Sequence, residues 1–348
     1  MDCIFCICVK KELKTYNDTG DAMKLLLSIF FVFQVVCSKV EFYGGSYLVY
    51  DSYNDYVVES SNENKRQSVA SISKIMTAIL VIENSRLDKK IIVDETINKA
   101  YGSCVYIHIK DKMTIQDLLY GLMLRSGNDC ALMLAKSVGG SVNRFVEMMN
   151  EKARDIGMKQ THFSNPSGLD EEDEGNLSTV KEMAMLYRYC CQNPLFNQIV
   201  KTKEYKRLDG KGYWHNKNRL LKDYSYCVGG KTGFTKKARR TLITRAIKGD
   251  HDLIIVTFNC GNDFEFHKKK YEECFETMEK QVFFDKGVYV IGGKPYLFDE
   301  SLFIEKKKED CVSYIIKDES VYLYVNQHYI RKQKLKRFCF VDLYQMIL

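Results

Sequence analysis

Three things are scarce or missing in this 348-residue sequence: proline, paired Cys-x-x-Cys units, and an apolar run long enough to cross a bilayer. The three prolines are a bias of composition and carry no mechanism. Without two Cys-x-x-Cys units and histidine partners a zinc site has no ligand set, so neither a metal nor another cofactor is expected. Cys3, Cys6 and Cys8 resemble a metal motif only in their density. A net charge of +7 comes with no helix-turn-helix, zinc finger or aromatic-plus-basic RNA module, and nucleic acid is therefore not an expected partner. Runs such as Lys268–Lys270 and Lys306–Lys308 read as solvated faces. The thirteen cysteines are odd in number and haphazard in position, with Cys130, Cys190 and Cys191 in helical patterns and Cys227 and Cys260 in strand patterns. They read as small buried hydrophobes rather than a disulfide framework.

What is present is a chain with 45% apolar and 28% charged residues, enough for one large domain and an appendage. Leu25 to Val36 is nearly all apolar, too short to span a membrane and suited to the core of a secretory signal, with Lys24 before it and cleavage after Cys37 or Ser38. The polar stretch ahead of it fits either a long positive region or a start at Met23. An extension and signal over 1–38, a main domain over 39–280 and a small β-rich domain over 281–348 follow from the pattern.

The chemistry centres on Ser71-Ile72-Ser73-Lys74, which opens the apolar run Ile75 to Ile82. On a helix, positions i and i+3 share a face, so Ser71 lies beside Lys74 as a nucleophile beside a base. To act as base, Lys74 must lose roughly 3 pKa units, about 4 kcal/mol, through burial and a nearby second cation. A second Ser-x-x-Lys, Ser178 to Lys181, is explained by a capping box of Thr179 with Glu182 at a helix start. Only the Ser71 copy is followed by Ser126-Gly127-Asn128 and then Lys231-Thr232-Gly233. That order is the signature S-x-x-K, S-D-N, K-T-G of penicillin-binding proteins and class A β-lactamases, with Gly127 in place of the middle Asp.

Around these motifs, Tyr47–Tyr50 and Tyr56–Val58 read as a hairpin, with short strands at Ile91–Val93 and Val105–His108. Helices are expected from Thr114, from Asp129 to about Lys136, and after Gly139-Gly140. Strands Thr241–Ala246 and Leu253–Phe258 should pair, followed by a helix over Asp263–Glu279. The acidic run Glu171 to Glu174 reads as a solvated loop. Beyond about Lys280 come the short strands Val288–Ile291, Tyr296–Phe298, Val312–Ile316 and Val321–Val325. The expected class is α/β and multi-domain, an antiparallel sheet flanked by helices plus a helical subdomain.

From about Ser46 to Glu279 the chain resembles the D-alanyl-D-alanine carboxypeptidases, low-molecular-mass penicillin-binding serine peptidases. The likeness extends to Gly157–Phe163, Ser167-Gly168-Leu169-Asp170, Leu177–Thr179 and Gly230–Thr235. It departs from the usual pattern at Ser167, where the family has His, and at Arg239, where it often has Gly. The resemblance implies a β-lactamase/transpeptidase-like fold with a small C-terminal β domain, and a bacterial extracytoplasmic enzyme. The implied reaction removes the terminal D-alanine from peptidoglycan stem pentapeptides, with β-lactams as inhibitors. Ser71 would attack, Lys74 take its proton, Lys231 keep Lys74 neutral, and Ser126 bridge the two lysines and relay a proton to the leaving amine. Asn128 would bind the substrate amide, and the strand through Thr232, Gly233 and Phe234 would align the peptide. The N–H groups of Ser71 and Phe234 would form the oxyanion hole, with Thr232 and Arg240 candidates for the terminal carboxylate. The family's amphipathic anchor would here be Phe338–Leu348, implying peripheral membrane contact through a segment with no clear basic face. Two other readings compete: a class A-like β-lactamase, for which Glu172 to Asn176 is the only E-x-x-x-N element, and a catalytically silent wall-binding protein. Gly175 before Asn176, where an apolar pin would belong, argues against the lactamase, and the intact motif set argues against the silent protein.

Overall fold

The computed structural model describes residues 5–6, 42–170 and 175–338, and these divide between two compact units, 41–275 and one that takes up the chain from Glu276. Numbering the longer elements in chain order, the first unit contains strands β1 (Ser46–Asp51) and β2 (Tyr56–Ser61) and helix α1 (Lys74–Asn84). Helices α2 (Ile115–Tyr120), α3 (Asn128–Gly139), α4 (Val142–Ile156), α5 (Val180–Cys191) and α6 (Pro194–Lys201) follow. Strands β3 (Cys227–Thr235), β4 (Arg239–Lys248) and β5 (His251–Phe258) and helix α7 (Asp263–Thr277) complete it. The five strands form one antiparallel sheet in the order β3-β4-β5-β1-β2, so β3 is an edge.

The two sheet faces are occupied differently because neighbouring residues on a strand point to opposite sides. Leu48, Ile243, Val256 and Phe258 pack with α1, α3, α5 and α6 into the main core, where Ile75, Ile79, Leu118, Leu134 and Phe145 are fully buried. On the other face α7 supplies His267, which sits between the hydroxyls of Thr244 (2.7 Å) and Thr257 (3.0 Å). Burial pushes its imidazole down to about 3, so it is a neutral structural group.

Local chemistry sets the helix starts. Thr114 accepts from the Asp117 N–H and Ser141 from the Arg144 N–H, and Asn193 caps α6 ahead of Pro194. Thr179 caps α5, but the Glu182 carboxylate turns away from the cap to bind the Gln160 N–H and the Thr161 hydroxyl. Val105–His108 is no strand. The Val105 and Ile107 N–H groups donate to the buried Asp129 carboxylate instead of a ladder, and Tyr106 has a left-handed backbone. The last helix ends at Thr277, two residues before the expected Glu279, because Met278 starts a strand.

In the second unit, strands β6 (Met278–Phe284), β7 (Gly287–Ile291), β8 (Lys294–Phe298), β9 (Leu302–Lys307), β10 (Val312–Lys317), β11 (Ser320–Val325) and β12 (His328–Lys334) surround a small core of Phe284, Phe298, Val321 and Leu323. Strands β6, β9 and β12 go beyond the expected set. The proposed signal, the acidic run Glu171–Glu174 and all but the first residue of the anchor segment lie outside the described residues. Among the described residues no helix is long and apolar enough to cross a membrane.

Candidate active site

Ser71 lies in the short helical turn Ala70–Ser73 that leads directly into α1, which places it one turn from Lys74. Two glycines let other segments press against that turn. A Cβ at Gly168, whose φ is +80°, would fall 1.9 Å from the Ala70 carbonyl oxygen, and one at Gly233 would meet the Ser71 nitrogen at 3.0 Å. Only glycine fits either place. The Thr241 hydroxyl donates to the Val69 carbonyl at 3.0 Å, bracing the turn from β4, and Ala70 itself holds a left-handed φ of 49°. The nucleophile is therefore clamped between the edge strand β3 and the loop at 165–169.

Lys74 is fully buried, and its ammonium donates to Ser71 Oγ (3.0 Å), Asn128 Oδ1 (2.7 Å) and the Ser167 carbonyl. Among the described residues no carboxylate hydrogen-bonds to it. Burial, and then the cation Lys217, push it down to about 7. Around neutral pH a large fraction of Lys74 is free amine, able to accept the Ser71 proton across the same 3.0 Å contact. Lys231 is equally buried, donates to Ser126 Oγ (3.0 Å) and the Thr232 carbonyl (2.7 Å), and lies well below an ordinary lysine through burial and the Lys74 and Lys217 charges. Two such groups in one site cannot both stay protonated cheaply, so they titrate as a pair.

The other expected residues arrive from separate elements. Ser126 ends a wide helical turn over Gly121–Arg125 in a left-handed conformation, φ 64°, which aims its hydroxyl at Lys231. Asn128 opens α3, and its amide is held on both sides, Oδ1 by Lys74 and Nδ2 against the Tyr101 carbonyl. Ser71, Ser126, Thr232, Gly233, Phe234 and Arg240 line a cleft of about 310 Å³ together with Ser103, Lys217 and Phe264. Arg240 is committed to Asp263 through Nη2 (2.7 Å) and Nε (3.2 Å) and lies over the Phe264 ring.

Lys217 is the member that sequence reasoning missed. Its N–H donates to the Leu124 carbonyl (3.1 Å) and its ammonium to Ser103 Oγ (3.3 Å). The flanking Asn216 and Asn218 fix its backbone, Asn216 Oδ1 accepting from the Asn218 N–H and Asn218 Oδ1 from the Leu220 N–H. That Asn-Lys-Asn turn is the only trace it leaves in the sequence. The loop behind Lys74 is also built on asparagines. Asn165 accepts from the N–H groups of Ser167 and Gly168, and Asn176 from those of Ser164 and Asn165. Asn176 is thus used to shape the Ser167 carbonyl's approach, while Glu172 lies outside the described residues.

The fold thus brings the three motifs that the sequence keeps apart into one cleft: Ser71 beside the depressed Lys74, the buried Lys231 on the edge strand, and the Ser126 hydroxyl against Lys231. A family model described as D-alanyl-D-alanine carboxypeptidase matches residues 34–262, and the chain belongs to that family. It is 34% identical over 217 residues to the D-alanyl-D-alanine carboxypeptidase DacF of Bacillus subtilis, a match covering 60% of this chain and 55% of that protein's length. It is 32% identical over 212 residues to DacB2 of Mycobacterium tuberculosis, covering 60% and 72%. Among solved structures, a D-alanyl-D-alanine carboxypeptidase from M. tuberculosis superposes with a TM-score of 0.65 at 27% identity, over 68% of this chain and 92% of that one. Penicillin-binding protein 5 of Haemophilus influenzae shares the fold, with a TM-score of 0.74 at 22% identity over 86% and 97%.

Proposed function

We propose that the chain is a serine-type D-Ala-D-Ala carboxypeptidase acting outside the cytoplasm on peptidoglycan stem peptides, with an acyl-enzyme on Ser71. The observation that carries this is the fully buried Lys74, 3.0 Å from Ser71 Oγ and depressed to about 7, with no carboxylate among the described residues bonded to it. The stem peptide lies along edge strand β3 as an added strand, its penultimate carbonyl between the N–H groups of Ser71 and Phe234. Lys74 takes the Ser71 proton as the Oγ–C bond forms. Ser126, supplied through Lys231, protonates the amine as the C–N bond to the last D-alanine breaks. Asn128 presents its remaining amide hydrogen to the acyl chain. Thr232 and Lys217 hold the terminal carboxylate, a task for which the bond to Asp263 makes Arg240 less free. Water then cleaves the acyl-enzyme, with Lys74 again as base.

Intact-protein mass spectrometry after exposure to a penicillin tests this directly. A single penicilloyl adduct decaying over minutes or longer is expected, absent in Ser71→Ala, together with D-alanine release from a pentapeptide that the same variant loses. An adduct surviving in Ser71→Ala would place the nucleophile elsewhere. Fast, steady hydrolysis of a chromogenic cephalosporin, lost in Glu172→Gln, would replace this reading with the lactamase.

A further inference from the structure

The β3–β4 hairpin continues past the cleft into the turn Lys236-Lys237-Ala238-Arg239, and this tip is the most basic stretch beside the site. Lys236 and Arg239 are exposed, and neither has an acidic partner among the described residues. Register decides where Arg239 stands. Thr235 pairs with Arg239, Phe234 with Arg240 and Gly233 with Thr241, so Arg239 stands two pairs along the hairpin from the glycine that touches the Ser71 turn. Arg240, one residue on, lies against Asp263. The tip is also tied to the loop behind the nucleophile. The Lys237 N–H donates to Asp170 Oδ2 (3.4 Å), and the other oxygen of that carboxylate accepts from Ser68 (3.0 Å). An acyl chain running along β3 away from the Phe234 N–H therefore leaves the cleft beside Arg239, about 3.3 Å per residue. Arg239 holds this position at a φ of 59°, a left-handed conformation that favours glycine, and such residues concentrate at ligand-contacting sites.

We propose that Arg239, with Lys236 beside it, is a specificity-determining residue that selects acyl donors carrying a free carboxylate one or two residues before the penultimate D-alanine. The inference rests on the carboxypeptidase reading, which supplies the direction of the bound chain. The full chain is compared with Arg239→Gly, which relieves the backbone, and with Arg239→Lys, which keeps the charge. The readout is the ratio of Ser71 acylation rates by two penicillins identical except for a carboxylate on the side chain, and the ratio of D-alanine release rates from two peptides that differ by amidation of the upstream carboxylate. An exposed pairing of this kind predicts about a three-fold preference for the carboxylated member. It should be lost in Arg239→Gly, largely kept in Arg239→Lys, and weakened by added salt. An unchanged ratio in Arg239→Gly, or loss of the preference in Arg239→Lys as well, overturns the proposal. Absence of any Ser71 adduct or D-alanine release sinks the carboxypeptidase reading and this inference with it, whereas normal adducts with no preference sink only the inference.

Discussion

Three lysines of the first unit are fully buried, and they divide into two kinds. Lys270, on α7, reaches Glu59 (3.0 Å) and Glu273 (2.8 Å), and although burial works against its charge the two carboxylates leave it above an ordinary lysine. Lys74 and Lys231 are likewise closed off from solvent and, among the described residues, hydrogen-bond only to neutral oxygens, and both are depressed. Burial alone does not make a lysine a base. The absence of a carboxylate does: at Lys270 the attraction of two carboxylates outweighs the desolvation that works against its charge.

Removing each kind breaks the comparison most sharply. Lys74→Met should cut Ser71 acylation by about 10³-fold or more, the loss of a general base, while leaving the melting temperature unchanged or higher, because an unpaired buried cation gives way to an apolar chain. A fall in melting temperature with acylation retained would show that Lys74 is structural. Asn128→Asp would convert one kind into the other, setting a carboxylate at the 2.7 Å contact now made by the amide. Acylation should drop on the order of 10²-fold at neutral pH and recover toward alkaline pH. A rate unaltered across pH would show that the proton on Lys74 does not limit the reaction.

Lys270→Met is the converse. It removes the buried cation that Glu59 and Glu273 share and should cost about 3 kcal/mol in urea unfolding, with the acylation rate of the folded fraction unaffected. Loss of acylation without loss of stability would make Lys270 part of the site. The smallest effect belongs to Lys217→Ala. Acylation requires neutral Lys74, so the rate rises with pH through about 7. Deleting the Lys217 cation favours protonated Lys74, and the limb should move to higher pH. A limb moved to lower pH would contradict the charge effect assigned to Lys217.

Short-range chemistry made the reacting pair legible. Ser71 and Lys74 are one helical turn apart, and the edge strand announces itself through Lys231-Thr232-Gly233. The Ser126–Lys231 contact, expected from the resemblance, depends on a left-handed residue at a helix junction that nothing in the motif itself spells out. Lys217 was hidden because nothing in its own neighbourhood marks it; it reaches the cleft only when Asn216 and Asn218 turn the chain against Leu124. Val105–His108 imitates a strand by composition, yet its N–H groups go to Asp129, a partner 24 residues from Val105. Strands β9 and β12 escaped for the opposite reason, since their lysines and arginines read as solvent-facing although Ile304 and Glu305 are fully enclosed and Arg331 reaches the Phe303 carbonyl.

The depressed Lys74 also binds the fold to the proton concentration around it. An unfolded chain holds a proton on this lysine up to its ordinary value of 10.5, while the folded chain gives it up near 7. Between those limits the unfolded state carries more protons, so stability rises with pH through that window, and this lysine costs the fold most below about 7. There the native state must accommodate a charge with no partner of its own. A substrate or inhibitor carboxylate held by Thr232 and Lys217 brings a counter-charge into the same cleft, so ligand should raise the melting temperature more in mild acid than in alkali. On this account the lysine proposed as base also makes the fold answer to the acidity of its medium, and an occupied cleft matters most to stability where that lysine is charged.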